Sequence, residues 1–491
     1  MKTLLAGLLA VGLASAASAT TTVIHIAGST AFRACLTRSV VDYLSTTGSG
    51  ERSIYWGNSN FYKQNGSVVS GTIGGNTIYV EMYWTGAEAG PVDLCTANKL
   101  SAFISGAYYA TSGLPTAGTG YYLSTTPVFD APVAPDAAMA DTPISDVAKA
   151  IKDANSTLPG YTSGKALANA VNIANLVDAG GQGTVGIIPF VWCVGNPGTA
   201  GESGSGGNMT QEAAAALIAQ GSIPFSFITG STSDITNFAF LVGRCEDSGT
   251  RLNYLWESQA AVYNGFDPSP IQSLVTFGTN ATYPTIKQST AYPLPTVNQG
   301  LNVGGNACYI SSIKAWPGNT VLNTEPDISW TPAGHSGYIT GGDVANVLLA
   351  VNTLGANISV DSSVVPSSFG FTQNTSKVSL IGFLARGDST SLTGETQTNA
   401  NGNGSLLTYN GVAESPTNIE YGNYSIWGYE HMYYFSGYAK ASILEGIATQ
   451  CENVDADIDP NGLHGQTDAA GVLPANMLVQ RNDVGQCITA Y

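Results

Sequence analysis

Short apolar runs alternate with stretches of helical spacing along most of the chain. Residues 23–26 form an apolar run. Apolar residues then recur three or four positions apart, at Phe32, Leu36, Val40, Tyr43 and Leu44. This pattern predicts a strand, an Ala-Gly-Ser-Thr turn and a helix, with Ser29 or Thr30 as the N-cap.

The same order recurs further along. The patterns predict strands at 76–84, 184–194 and 425–435, helices at 209–222 and 437–451, and strand–turn–helix units at 236–258 and 334–354. Strands that alternate with helices indicate an α/β fold with a largely parallel sheet. Ligands bind such sheets where strand ends meet helix N-termini.

Three segments break the alternation. Residues 107–140 are rich in Gly, Pro and Ala, and residues 260–330 are aperiodic and rich in Tyr, Thr, Asn and Pro. Both are predicted to be inserted, loop-rich segments. Residues 386–425 are polar and rich in Gly and Asn, which predicts a solvated loop or hairpin.

The first 19 residues have the pattern of a secretory signal peptide. Lys2 precedes an apolar stretch, and Ala17-Ser18-Ala19 forms a cleavage signal. No cysteine follows at a position that could carry a lipid, and no later apolar run is long enough to cross a bilayer. We therefore expect an exported protein, periplasmic or extracellular, without a lipid anchor or a transmembrane segment.

The formal net charge of −17 over 491 residues argues against nucleic acid or an anionic membrane surface as a partner. Seven cysteines then lie in a disulfide-permissive compartment, with Cys35–Cys95 and Cys451–Cys487 as the predicted pairings. The absence of C-x-x-C spacing and the presence of only four histidines argue against a zinc site.

The stretch "VGRCEDSGTR" at 242–251 concentrates charge in a chain that has little elsewhere. Arg244 offers a planar set of donors suited to an oxyanion, and Ser248, Gly249 and Thr250 add hydroxyl and N–H groups at a predicted helix start. This arrangement fits an anion site. A surface ion pair between Arg244 and Glu246 or Asp247, over a capped helix, is the alternative.

A carboxylate beside an anion site has a use if the anion carries a proton, because an ionised carboxylate only accepts hydrogen bonds. Hydrogenphosphate has such a proton near neutral pH, and sulfate does not. Asp141, at a predicted turn, and Glu246 are the candidates for this acceptor. Either would select the protonated oxyanion, because the acceptor stays unpaired with any other.

An acidic turn near the C-terminus resembles a calcium loop. Its candidate ligands are Asp457, Asp459, Asn461 and Asp468. We expect an exposed acidic turn there, with a structural calcium as the alternative, and no other metal or cofactor. The four histidines show no catalytic spacing, so no enzyme is predicted.

These motifs together resemble the phosphate-binding protein of ABC-type uptake systems, within the type II periplasmic binding protein fold. The resemblance lies in "IAGST", "YVEMYWTGAEAGPVDL", "MADTPIS", "TVGIIPFVWCVGNPG", "LVGRCEDSGTR", "GHSGYIT", "LTYNGVAESPTNIEYGNYSIWGYEHMYY" and "GVLPANMLVQ", which follow the family order. It implies a two-lobed α/β fold with a hinge, in which one lobe spans 20–190 and 430–491 and the other spans 195–428.

When the ligand positions of the family are transferred to the matching positions of this sequence, the resemblance implies a phosphate site between the lobes. The implied ligand residues are Ser29, Thr30, Ala31, Thr85, Asp141, Arg244, Glu246, Ser248, Gly249 and Thr250. Thr85 stands in for a family serine whose place Ala87 takes, and Asp247 replaces a family glycine. The implied partners are phosphate and an ABC permease. The alternatives are a secreted or surface protein that keeps the fold without transport, and an extracellular hydrolase of phosphate esters.

Overall fold

The structure is a computed structural model that describes most of the chain in separate stretches. The described residues are 20–57, 64–97, 99–100, 102–105, 120–144, 175–180, 183–195, 207–245, 248–258, 271–278, 302–303, 306–307, 309–316, 337–338, 340–348, 358–365, 378–393, 404–453, 472–481 and 488–490.

Strands and helices alternate through these residues. The strands are β1 Thr21–Gly28, β2 Ser49–Trp56, β3 Gly66–Ile73, β4 Asn76–Tyr83, β5 Gly120–Leu123, β6 Ala137–Ala140, β7 Leu176–Asp178, β8 Gly186–Gly195, β9 Asn208–Met209, β10 Ser222–Pro224, β11 Phe238–Val242, β12 Ser273–Gly278, β13 Asn302–Val303, β14 Asn306–Ala307, β15 Tyr309–Ala315, β16 Ser359–Val360, β17 Val378–Ala385, β18 Gly404–Leu406, β19 Thr408–Tyr409, β20 Trp427–Phe435, β21 Val479–Gln480 and β22 Thr489–Ala490. The α-helices are α1 Arg33–Thr46, α2 Ala89–Thr96, α3 Gln211–Gln220, α4 Ser226–Thr229, α5 Gly249–Glu257, α6 Gly341–Leu348, α7 Arg386–Thr393, α8 Pro416–Glu420 and α9 Ala441–Asn453. Short 3₁₀ turns lie at Thr232–Asp234, Ser362–Val364 and Pro474–Asn476.

The main sheet has the strand order β10-β11-β17-β8-β20-β6-β1-β4-β3-β2-β5, with β18 beside β8 and β7 beside β20. The α/β prediction is confirmed, but the sheet is mixed rather than largely parallel. The parallel pairs are β1 with β4 and β6, β11 with β17, and β2 with β5. The other pairs along this order are antiparallel.

A hairpin explains part of this difference. Gly74 and Gly75 join β3 to β4 and both have positive φ, +57° and +82°. A two-residue turn with positive φ at both positions matches the twist of antiparallel strands. The sequence signal for this hairpin is "IGGN" at 73–76. A pattern of strands alternating with helices does not predict two consecutive antiparallel strands.

Two long strands join the halves of the sheet. β8 pairs through 190–194 with β17 and through 186–189 with β20. β20 in turn pairs through 431–434 with β6. We call β6, β1, β4, β3, β2 and β5, with the helices α1 and α2 that follow β1 and β4, the first half of the molecule. The second half consists of β10, β11, β17 and β18, with the helices α5 and α7 that follow β11 and β17. The fold is therefore α/β with two halves linked by β8 and β20.

Three segments hold more regular structure than their composition predicts. Within 107–140 the structure describes β5 and β6, and within 260–330 it describes β12, which pairs with β15. The segment predicted as solvated loop begins with α7, where Arg386 is buried and its Nε lies 3.1 Å from Oε2 of Glu414. This ion pair joins positions 28 residues apart, so local composition does not reveal it.

Two predictions of detail are wrong. The N-cap of α1 is Phe32, without a side-chain cap bond, rather than Ser29 or Thr30. No disulfide joins Cys35 to Cys95; each cysteine is buried in its own helix, and burial raises the pKa of Cys95 to about 11. Cys451 is free and buried, and its predicted partner Cys487 lies outside the described residues.

Two further predictions concern residues that the structure does not describe. The signal peptide at 1–19 and the candidate calcium residues Asp457, Asp459, Asn461 and Asp468 lie beyond the described residues. Within those residues, no cluster of three or more side chains suited to a metal is found. None of the described helices is long and apolar enough to cross a membrane.

Candidate functional site

Loops from both halves meet at one place. After β1, the N–H of Ser29 donates to the carbonyl of Met139 in β6 at 2.9 Å, and the N–H of Gly86 donates to the carbonyl of Gly28 at 2.9 Å. Because β1, β4 and β6 are parallel neighbours, their ends share one edge of the sheet. The turns after these three strands therefore lie side by side.

The second half contributes the N-terminus of α5 to the same place. A Cβ atom built on Gly249 would lie 1.7 Å from Oδ1 of Asp141 and 2.9 Å from Cβ of Ala87. Only a residue without a side chain permits this approach. Gly249 thus brings the start of α5 directly against the turns that follow β4 and β6.

Hydrogen bonds fix α5 in this position. Oγ1 of Thr250 donates to Oδ2 of Asp141 at 3.5 Å, and Nδ2 of Asn253 donates to the carbonyl of Asp141 at 3.2 Å. Ser248 caps the helix, with its hydroxyl accepting from the N–H of Arg251. The positive end of the helix dipole and the N–H groups of its first turn therefore face Asp141.

Arg244 lies at the end of β11, with 2% of its surface exposed. Its backbone is held by a bridge to Tyr338 and by Nε2 of Gln272, which donates to its carbonyl at 3.0 Å. Its positive charge acts on Asp141 and lowers the pKa of that carboxyl group, against the stronger effect of burial. The guanidinium predicted to bind an anion is thus buried close to the predicted acceptor.

Burial raises the pKa of Asp141 to about 7, although the charge of Arg244 and the hydrogen bond from Thr250 oppose the rise. Asp141 therefore changes charge near neutral pH. Its ionised form, which is populated mainly above this pH, can only accept hydrogen bonds from a bound group.

Several buried polar atoms at these turns have no hydrogen-bond partner among the described residues. They are Oγ of Ser29, Oγ1 of Thr85, Oδ1 of Asp141 and Oγ1 of Thr142. Buried polar atoms are nearly always paired in proteins, because an unpaired one costs about 1–3 kcal/mol. A polar ligand between the turns would satisfy such atoms.

The structure brings together most of the predicted site residues. Ser29, Thr85, Asp141, Arg244, Ser248, Gly249 and Thr250 lie at the facing turns. Thr30 and Ala31 follow Ser29 in the turn before α1 and are half-buried. Glu246 and Asp247 lie outside the described residues, so the second acceptor and the ion-pair alternative stay predictions.

Three residues at the site were not predicted. Asn253 is one turn into α5, so helical spacing from Gly249 could have indicated it. Arg33 is the first residue of α1, and its charge beside the "AGST" turn was the signal. Glu430 is a carboxyl group inside an apolar strand; burial and the nearby charge of Asp141 raise its pKa well above its usual range.

Comparison with known proteins finds similarity to solved structures. No family model matches the chain, and no curated protein matches it. A candidate phosphate ABC transporter substrate-binding protein from Clostridium perfringens, solved with bound phosphate, is 9% identical, with 89% of this chain and 97% of that chain covered and a TM-score of 0.37.

Two further solved structures are similar at the same level. An ABC-type phosphate transport receptor from Vibrio cholerae is 12% identical, with 87% of this chain and 93% of that chain covered and a TM-score of 0.32. The PstS protein of Borrelia burgdorferi is 10% identical, with 87% and 91% covered and a TM-score of 0.28.

Proposed function

We propose that this protein is an exported solute-binding protein that binds inorganic phosphate between its two lobes and delivers it to an ABC permease. The lobes are residues 20–190 with 430–491 and residues 195–428, and β8 and β20 form the hinge. The protein makes and breaks no bond in its ligand.

The observation that carries this proposal is the position of Asp141. Its carboxyl group faces the N-terminus of α5 through Gly249 and Thr250, and it feels the charge of Arg244. Donors around a single acceptor suit an anion that offers one proton. Hydrogenphosphate meets that description, whereas sulfate leaves Asp141 unpaired and repelled.

Each polar group at the site has a defined role in binding phosphate. The guanidinium of Arg244 and the N–H groups at the start of α5 donate to the phosphate oxygens, and Thr250 and Ser248 add hydroxyls. Ser29 and Thr85, on the first half, supply hydroxyls from the opposite side. Closure of the two halves expels water, which strengthens each of these contacts.

Calorimetric titration with inorganic phosphate tests the proposal. We expect the mature wild-type protein to bind phosphate and Arg244→Ala to lose binding by about 100-fold or more, since removing one partner of a buried charged contact costs about 2–5 kcal/mol. Arg52→Ala, which removes an exposed arginine on β2, is the control and should bind as the wild type does.

The absence of heat with phosphate would contradict uptake and favour a secreted or surface protein that keeps the fold. Turnover of a chromogenic phosphate ester by the wild-type protein would contradict the non-enzymatic account and favour a hydrolase.

A further inference from the structure

A second arginine lies beside the proposed phosphate site. Arg33 is the first residue of α1, directly after the turn that carries Ser29. Its side chain is 12% exposed, and Nη1 donates to the carbonyl of Gln64 at 3.2 Å. Its Nε is buried and has no hydrogen-bond partner within the described residues.

The contact that Arg33 makes across the two halves is long. Nη2 of Arg33 lies 3.8 Å from Oδ1 of Asp388, which belongs to α7. That distance allows an ion pair but is longer than the donor–acceptor distance of a hydrogen bond. Asp388 also has another neighbour, because a Cβ atom built on Gly341 would lie 1.9 Å from its Oδ2, at the start of α6. The carboxylate therefore lies over a helix N-terminus and does not depend on Arg33 alone.

Arg244 is close enough to Arg33 to disfavour the positive charge of Arg33. Burial lowers the pKa of Arg33, Asp388 opposes that effect, and the charge of Arg244 lowers the pKa further. Two cations held near each other away from water are costly unless an anion lies close to both. Asp343, at the start of α6, is another acid that interacts with Arg244.

The charges of the proposed ligand also indicate that cation and anion lie close together at this site. Hydrogenphosphate brings two negative charges beside Asp141, and Arg244 alone offsets only one of the resulting three. A second guanidinium and the N-terminus of α5 would stabilise more of this negative charge than Arg244 alone.

We propose that Arg33 is a second phosphate-binding guanidinium, opposite Arg244, and that the site is built for a doubly charged tetrahedral oxyanion. This inference rests on the proposed function. On binding, Nε and Nη2 of Arg33 donate to phosphate oxygens, and the long contact with Asp388 is given up. Arg33 thereby ties the turn after β1 to the ligand held by the second half.

Calorimetric titration of three variants with inorganic phosphate tests this role. Arg33→Gln should weaken binding by about 100-fold, and Arg33→Lys, which keeps the charge, should fall between Arg33→Gln and the wild type. Asp388→Asn, which removes the ion pair but keeps both arginines, should bind phosphate within a few-fold of the wild type or more tightly. Arg52→Gln is the control for the change in net charge.

The outcomes separate the two proposals. If the wild type binds phosphate and Arg33→Gln binds as tightly as Arg52→Gln, only the role of Arg33 is overturned. Equal losses in Arg33→Gln and Asp388→Asn would also overturn it, because the ion pair alone would then explain both. If the wild type does not bind phosphate, the proposed function is wrong and this inference is overturned with it. If Arg33→Gln fails to fold, Arg33→Lys is compared with Arg52→Gln in its place, and equal affinities for phosphate overturn the role of Arg33.

Discussion

The carboxyl group of Asp141 and the backbone of Gly249 are in direct contact across the two halves of the molecule. A methyl group on Gly249 would lie 1.7 Å from Oδ1 of Asp141, which neither residue can accommodate without moving. The site therefore depends on a glycine at the first position of α5 as much as on its charged side chains.

Gly249→Ala should lower the free energy of unfolding by about 1–3 kcal/mol, since overpacking forces neighbouring atoms apart. Urea unfolding measures this change. The control is Gly342→Ala in α6, where the nearest atom to a new Cβ would be Oγ1 of Thr340 at 3.7 Å. That variant should be unchanged or up to about 1 kcal/mol more stable, and equal effects of the two substitutions would contradict the proposed close contact.

Phosphate affinity should decrease as the pH falls below the pKa of Asp141. Burial raises that pKa to about 7, so the ionised form, which accepts the proton of the ligand, is populated mainly above this value. Calorimetric titrations across this range test the prediction. Affinity that stays constant or rises toward lower pH, after correction for the ionisation of phosphate, would show that Asp141 is not the acceptor.

Glu430→Gln should stabilise the protein near neutral pH. Both carboxyl oxygens of Glu430 are buried without a hydrogen-bond partner in the described part of the chain. Burial and the charge of Asp141 raise its pKa well above the ordinary value of 4.5, and the nearby side chain of Ser29 opposes this rise only in part. The folded state thus keeps a proton that the unfolded state releases, so this residue lowers stability as the pH rises above 4.5.

The expected gain for Glu430→Gln is about 1 kcal/mol or more near neutral pH, and it should shrink as the pH approaches 4.5. Thermal unfolding at both pH values measures it. Glu212→Gln, which replaces an exposed glutamate in α3, is the control and should show no such pH dependence. A loss of stability near neutral pH would mean that Glu430 is ionised and paired.

His25 should stabilise the fold at low and neutral pH and lose this effect in alkali. Burial opposes protonation of His25, but hydrogen bonds to Asp136 and Glu81 outweigh it and raise its pKa from 6.5 to about 9. Its Nε2 lies 3.2 Å from Glu81 and its Nδ1 lies 3.3 Å from Asp136. The folded state therefore binds the proton more tightly than the unfolded state does.

The stabilisation by His25 should be complete below pH 6.5 and disappear as the pH rises through about 9. His25→Gln should lower the free energy of unfolding by on the order of 2 kcal/mol below pH 6.5 and by less above the folded pKa. Urea unfolding at these pH values checks this. A pH-independent difference between variant and wild type would show that packing, and not charge, is what His25 contributes.

The sequence predicts the elements of this fold better than their arrangement. Strands β1, β4 and β8 and helices α1, α3 and α5 follow from apolar runs and helical spacing, because those patterns record burial directly. The mixed orientation of the sheet does not follow, since it depends on which distant strands pair. Helix α7 was missed for a similar reason, because Glu414 is the partner that allows Arg386 to be buried.

The candidate site was predictable where its chemistry is local. Ser248, Gly249 and Thr250 could be assigned to a helix N-terminus from the turn composition alone, and the structure confirms that helix start. The closeness of Asp141 to Gly249 and the contact of Arg33 with Asp388 join different halves of the molecule. No local pattern encodes such a contact, so each required the structure.

Competition between phosphate and sulfate at matched ionic strength, measured by calorimetry on the wild type and on Asp141→Asn, tests the central claim most directly. At a pH well above the pKa of Asp141, which is about 7, the wild type should bind phosphate and reject sulfate, because the ionised Asp141 can only accept a hydrogen bond and sulfate has no proton to donate. Asp141→Asn should bind sulfate comparably to phosphate, since the amide can donate where the carboxylate could only accept. A wild type that binds both anions equally, or an Asp141→Asn variant that still rejects sulfate, would contradict the account.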